Sequence, residues 1–235
     1  MLVQNRRERL REATINEIKA VALHQMAQQG AAALSLRAIT GQMGMSAPAL
    51  YNYYANRDEL VTALIVDAYT SLAEAIEAAC QTQPTHEYGL RFLAATLAFR
   101  EWALSHREQF MLIYGSPIPG YHAPASVTTP VSIRATYEFM NTLESAWRAG
   151  KITIPPEYAG LTNTPTHQHI EEYHREQGLT MPAALLQIAI AGFGLIQGFV
   201  SLELYNHLDY LGGDVGEMYR AEVIAYLRRL GLLAK

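Results

Sequence analysis

Between Leu34 and Leu60 the sequence instructs a helix to start, stop and start again in quick succession. Ser35 is a natural N-cap, because its hydroxyl can accept from a backbone N–H that the first turn leaves without a partner. It precedes Leu36–Met43, where Leu36 and Ile39 point inward. Gly44 supplies a turn conformation that a β-carbon would strain. Ser46 caps the next helix, and Pro48 falls in its first turn, where a missing N–H costs nothing. Asn56 followed by Glu59 is a capping pair opening a long helix from Arg57 to about Ala79. Ahead of these, Arg6 to Gln29 reads as a helix with Ile18, Ala22 and Met26 on one stripe and Gly30 as terminator. Two short helices joined by a tight turn predict a helix-turn-helix, which can set its second helix in the major groove of DNA.

Leu50 faces the core of that unit and leaves Ala47, Ala49, Asn52 and Tyr53 on the outer face. Small residues there allow close approach to base edges, while Asn and Tyr can hydrogen-bond bases or phosphates. The charge is arranged to match. The chain carries a net −4, yet residues 1–57 hold seven basic against three acidic side chains, and the remainder eleven against nineteen. A polyanion is therefore attracted to the N-terminal end and repelled by the rest. Arg6, Arg7, Arg9 and Arg11 make the first turns basic enough to lie along a phosphate backbone.

The run Ile18 to Leu64 resembles the N-terminal domain of TetR-family transcriptional repressors. The resemblance is carried by Ile18, Ala22, Met26 and Gly30, by Leu34-Ser35-Leu36-Arg37-Ala38-Ile39, and by Gly44-Met45-Ser46. Leu50-Tyr51 and Tyr54 before Asn56-Arg57-Asp58-Glu59-Leu60 complete it. Thr40 stands where a small Ala is usual, Tyr54 replaces the common Phe, and Arg57 stands where Lys is frequent. The resemblance implies that Ser35 and Arg37 meet phosphates at the start of the second helix. It implies a reading surface of Ser46, Ala47, Ala49, Tyr51, Asn52 and Tyr53, with Tyr51, Tyr53 and Arg57 mostly on the DNA backbone. The ring of Tyr51 has a competing use, packing within the small domain.

Beyond Thr82-Gln83-Pro84 the sequence reads as apolar helices over Tyr88–Ser105, His106–Tyr114, about Pro130–Ala149, about Pro182–Leu208 and Val215–Leu230. Three prolines and two glycines make Gly115–Pro124 irregular. Trp102, His106, Tyr114, Gly115 and the proline loop look similar to the WHG-type C-terminal domain of one TetR branch. That likeness implies a ligand cavity drawing on Trp102, Phe110, Tyr114, Tyr137, Met140, Phe193 and Gln197, suited to an apolar or amphipathic small molecule. Ordinary core packing is the competing use of each. It also implies a homodimer through the last two long helices, and two helix-turn-helix heads reading two half-sites ask for the same symmetry. Gly192-Phe193-Gly194 with Gly198 has the wrong spacing for a dinucleotide loop and suits close helix approach instead.

Other classes are disfavoured. Cys80, the single cysteine, permits no intramolecular disulfide or cysteine metal cluster and reads as a small buried hydrophobe. Met181 to Leu202 is about long enough to span a bilayer, but Gln187 and Gln197 interrupt it, so a buried or interface helix is expected and no membrane. The first residues lack an apolar signal core, and a cytoplasmic protein is expected. No nucleophile elbow, phosphate loop or His-Glu-x-x-His occurs, so no enzyme and no cofactor are expected. His167, Glu171 and His174 fall on one stripe of a helix and would suit zinc or nickel. Their polar neighbours favour a solvated face, and no metal is expected.

The reading is an all-α chain with an N-terminal three-helix helix-turn-helix domain at 1–55. A C-terminal helical ligand-binding and dimerisation domain follows at 56–235. Its expected partners are double-stranded DNA and a small-molecule effector, and its expected role is a ligand-released repressor on a palindromic operator. The rival reading is a helical small-molecule- or metal-binding protein with a vestigial DNA head.

Overall fold

The structure, a computed structural model, describes residues 5–158, 165–177 and 180–234, and among these it is all-α. The helices are α1 (Arg6–Gln29), α2 (Leu36–Met43), α3 (Ala47–Tyr51), α4 (Arg57–Gln81), α5 (Tyr88–Ser105), α6 (Arg107–Tyr114), α7 (Ala125–Arg148), α8 (Pro165–Gln177), α9 (Ala183–Leu204) and α10 (Val215–Arg229). They form two compact units, Met1–Ser71 with His106–Ile133, and Leu72–Ser105 with Arg134–Lys235. The divisions fall inside α4 and inside α7.

The first unit is organised by the apolar stripe of α1. Ile18, Ala22 and Met26 are buried against Leu34, Ile39, Leu50, Tyr54, Leu60, Val61 and Leu64. Leu112 of α6 and Ile118 of the proline loop enter the same cluster, so this unit is larger than residues 1–55. The loop is tied down further by a 2.8 Å hydrogen bond between the hydroxyls of Tyr121 and Thr62 on α4. Lys19 of α1 pairs with Asp67 of α4 at 2.6 Å.

In one place a helix runs through a residue expected near its start. α7 begins at Ala125 and contains Pro130. The carbonyl that loses its helical partner is that of Ser126, an exposed residue. Water can satisfy it there, so the usual penalty of an interior proline is reduced.

The second unit packs α5, the C-terminal part of α7, α9 and α10. Phe92, Phe99, Trp102, Leu143, Leu185, Ile188, Val200, Tyr219, Val223 and Leu227 are all buried. α9 is long and apolar enough to cross a membrane, but its face from Ala183 to Leu204 is core here. Gly192 permits the α9–α10 approach, since a β-carbon there would lie 2.6 Å from the Tyr226 ring. The Tyr226 hydroxyl donates to the Ile188 carbonyl at 3.2 Å, and the buried Tyr219 hydroxyl donates to the Thr96 carbonyl at 2.8 Å. Arg100 pairs bidentately with Glu203, and Arg91 with Glu138 at 3.0 Å.

Glu144 of α7 fixes the start of α9. Its carboxylate accepts from the amides of Thr180 (3.1 Å) and Met181 (3.0 Å), from the Thr180 hydroxyl, and from Arg148 Nε at 2.8 Å. Burial alone would raise its pKa; these donors outweigh burial and hold it below the ordinary carboxylate value of 4.5. A depressed folded pKa gives stability that is complete above the unfolded value and lost as pH falls through the folded one. Glu144→Gln is therefore expected to lower stability by about 1–3 kcal/mol at neutral pH. In urea titrations the gap between wild type and variant should close below about pH 4.5.

Candidate nucleic-acid interface

The helix-turn-helix is assembled by local hydrogen bonds around one buried leucine. The hydroxyls of Ser35 and Ser46 accept from the amides of Ala38 and Ala49, each at 3.4 Å. Gly44 adopts φ 63° in the left-handed region, and the Met45 amide closes the turn on the Thr40 carbonyl at 3.1 Å. Thr40, where the family favours Ala, is buried and turns its hydroxyl back to the Arg37 carbonyl at 2.8 Å. That bond satisfies the extra oxygen without a partner from α3. Leu50 is 1% exposed and seats α3 on the core.

The opposite face of α3 is open. Tyr51 is 55% exposed, Ala47 and Asn52 are exposed, and Ala49 is half-buried. Tyr51 therefore does not spend its ring on packing within the unit. Tyr53 is half-buried against the core cluster, with the Arg11 guanidinium 5.0 Å over its ring. Tyr54 lies beneath, and its phenol is pushed up to about 12 by burial, then by Asp67 and Glu59, against Arg11. It stays neutral in the core.

The two arginines expected at phosphates are placed differently. Arg37 is exposed on the first turn of α2 and its side chain makes no hydrogen bond or ion pair among the described residues. Arg57 is half-buried. Its Nε donates to the Leu34 carbonyl at 3.1 Å and one Nη to the Ala32 carbonyl at 3.4 Å. Arg57 thus ties α4 to the segment that leads into α2. A side-chain-to-carbonyl bond across 23 residues leaves no local pattern in the sequence.

The seven residues expected at a ligand divide between the units. Met140 and Phe193 line a cavity of about 190 Å³ in the second unit. Its walls are Phe92 of α5, Thr136, Phe139, Met140 and Leu143 of α7, and Ala189, Ile190, Phe193 and Ile196 of α9. Trp102 is buried core, Tyr137 is 55% exposed, and Gln197 is half-buried on α9. Phe110 and Tyr114 belong to the first unit. There Tyr114 packs on Phe110 at 5.1 Å and edge-on to Tyr69 at 6.2 Å. Tyr69, with Ile65, Leu112, Thr128 and Ser132, borders a separate cavity of about 220 Å³. The sequence did not single out Phe92, Phe139 or Ile190, because α5, α7 and α9 carry more apolar residues than one face can use.

Among the described residues no set of three metal-ligating side chains converges. The side chains of His167 and His174 lie outside the described residues. Cys80 is buried with its thiol pushed up to about 12, chiefly by burial and then by Glu138.

An outward five-residue helix seated by Leu50 in a three-helix head, joined to a helical unit with an apolar cavity, defines a helix-turn-helix regulator. Comparison with known proteins agrees. Residues 18–64 match the model of bacterial regulatory proteins of the tetR family, and residues 92–226 match the Tetracyclin repressor-like C-terminal domain. The HTH-type transcriptional regulator Rv1816 of Mycobacterium tuberculosis is 32% identical over 201 residues, covering 86% of this chain and 85% of that protein. The crystal structure of the regulatory protein SCO4313 is 32% identical, covers 95% of this chain and 100% of its own, and has a TM-score of 0.76. RolR, solved with resorcinol, shares the fold at 17% identity over 96% of this chain and 91% of its own, with a TM-score of 0.50. The chain belongs to the TetR family of transcriptional regulators; it is a DNA-binding transcription factor and not an enzyme.

Replacing Arg57 with Ala should lower urea stability by about 1–2 kcal/mol, because the carbonyls of buried Leu34 and exposed Ala32 lose a charged donor. Arg37→Ala should stay within about 0.5 kcal/mol of wild type. Equal stability of the two variants would remove the structural role assigned to Arg57.

Proposed function

We propose that this chain is a cytoplasmic, homodimeric repressor that leaves a palindromic operator when a small apolar or amphipathic molecule binds it. Residues 1–55 read DNA, and residues 56–235 receive the ligand and dimerise. The observation that carries the reading is the exposure of Tyr51 and Asn52 on a helix whose other side is held by Leu50. Ala47 and Ala49 allow α3 to approach closely, Asn52 reads a base, and Tyr51, Tyr53, Ser35, Ser46 and Arg37 engage phosphates. Arg57 contributes by positioning.

The open side of α9 supports dimerisation. Ala191, Gly194, Leu202 and Tyr205 are exposed there, and β-carbons on Gly194 or Gly198 would meet nothing within 4 Å. Met218, Ala221 and Ala225 are exposed on α10. Small residues at helical spacing let a second copy pack α9 and α10 closely.

The second-unit cavity supports the ligand class. Thr136 is its single polar side chain, so its occupant is recognised by shape and apolar contact. A dry cavity of about 150 Å³ with similar walls holds benzene, so about 190 Å³ suits a one-ring or short-chain molecule. Resorcinol, the ligand of RolR, is of that size class. Ligand and DNA are coupled through a difference in affinity between two helix arrangements. α4, which starts in the first unit and ends in the second, is the covalent route for that change.

Selection from a random duplex pool should enrich a two-fold symmetric site whose binding falls steeply with salt. Asn52→Ala should change the base preference, whereas Arg37→Ala should weaken all sequences alike. A pool with no enriched palindrome at low salt would reject the repressor and leave a ligand-binding protein with a vestigial head. Phe193→Ala and Met140→Ala should weaken the release of that duplex by a one-ring effector at least tenfold, with DNA affinity in the free protein unchanged.

A further inference from the structure

N-terminal to the matched residues 18–64, the first turns of α1 carry Arg6, Arg7, Arg9 and Arg11, and every residue from Asn5 to Ala13 is exposed. On an α-helix Arg7 and Arg11 share one stripe, about 40° apart, while Arg9 lies about 160° round the axis from Arg11. The contacts of Arg11 show where that stripe is aimed. Its guanidinium covers the Tyr53 ring at 5.0 Å, and its Nη1 reaches the Asn52 carbonyl at 3.5 Å. The stripe therefore abuts the C-terminal end of the reading helix. Arg7 continues it one turn, roughly 5–6 Å, further along α1. The acidic neighbours do not cancel it. The Glu8 carboxylate accepts the Asn5 amide at 3.0 Å within a capping box, and Glu12 lies about 100° round from Arg11.

We infer that the Arg7–Arg11 stripe is a second DNA contact, gripping the phosphates that flank the half-site read by α3. The inference rests on the DNA-binding reading above and extends the footprint of each head beyond the helix-turn-helix. Charge names the occupant. An exposed line of guanidinium groups continuous with a surface docked in the major groove meets the next phosphates of the same duplex. Arg11 has two tasks, holding Tyr53 and the end of α3 while presenting charge. Arg7 has one.

The test uses the full-length protein and the duplex it selects from a random pool, made with and without about one helical turn of flanking DNA. On the long duplex, Arg7→Gln should weaken binding about tenfold near 0.1 M salt and reduce the salt slope by about 2 for the two protomers. Arg9→Gln should lose several-fold less than Arg7→Gln, and Arg7→Lys should recover most of the loss. On the trimmed duplex, wild type and Arg7→Gln should bind alike. If Arg7→Gln binds the long duplex unchanged while Asn52→Ala still alters the selected site, the flanking contact is wrong and the DNA reading stands. Equal losses from Arg7→Gln and Arg9→Gln would replace the stripe with a diffuse field and overturn the assignment. Failure of the wild type to select any duplex overturns both.

Discussion

Burial of Leu50 is the interaction on which the placement of α3 depends. A helix of five residues has too few hydrogen bonds to offset the cost of its own nucleation, so α3 exists because the head imposes it. Leu50 supplies the apolar anchor, Ser46 satisfies an amide at one end, and Tyr54 closes the other inside the core. With one side so fixed, helical geometry turns Tyr51 and Asn52 away from the core, about 100° and 160° round the axis from Leu50. Arg57 adds a strut from α4 to the carbonyls ahead of α2, so both helices of the motif are referenced to the same long helix.

The second unit solves a different problem. Apolar helices fit one another ridges into grooves, but several such fits can bury similar area. Polar contacts make the choice. The Tyr219 hydroxyl on the Thr96 carbonyl, the Tyr226 hydroxyl on the Ile188 carbonyl and Glu144 at the start of α9 each match one arrangement. Arg100 with Glu203 adds a charged version of the same device. Phe92, Phe139 and Phe193 line the cavity that remains between these helices.

Charge then separates the two kinds of surface. Lys19 is paired with Asp67, while Arg37 and the arginines of the first turns of α1 are outward positive groups of the head. On α9 and α10, exposed Ala191, Gly194, Leu202 and Met218 offer little to a polyanion and more to an apolar surface. Exposed guanidinium groups suit a polyanion and exposed apolar side chains suit another apolar surface, for the same elementary reasons of charge and hydration.

Local signals were enough for the helices and for the exposure of Ala47, Tyr51 and Asn52. Ser35, Gly44, Ser46 and Asn56 act on backbone groups within four residues, so their meaning survives without the fold, and α1, α2 and α5 begin and end where the residues say. The same locality explains what could not be read. Arg57 looks identical in sequence whether it meets a phosphate or the Leu34 carbonyl. Leu112 and Ile118 give no sign that they join the core of the head, and Pro130 reads as a helix start although the helix passes through it. Trp102, Phe139 and Phe193 are equally good as packing or as cavity wall. The sequence by itself determined the elements, the caps and the small residues of α3, because these follow from neighbours along the chain. Which aromatics border a void, which arginine is a strut and where the polar pins fall were decided by the tertiary structure, because each depends on groups brought together from distant segments.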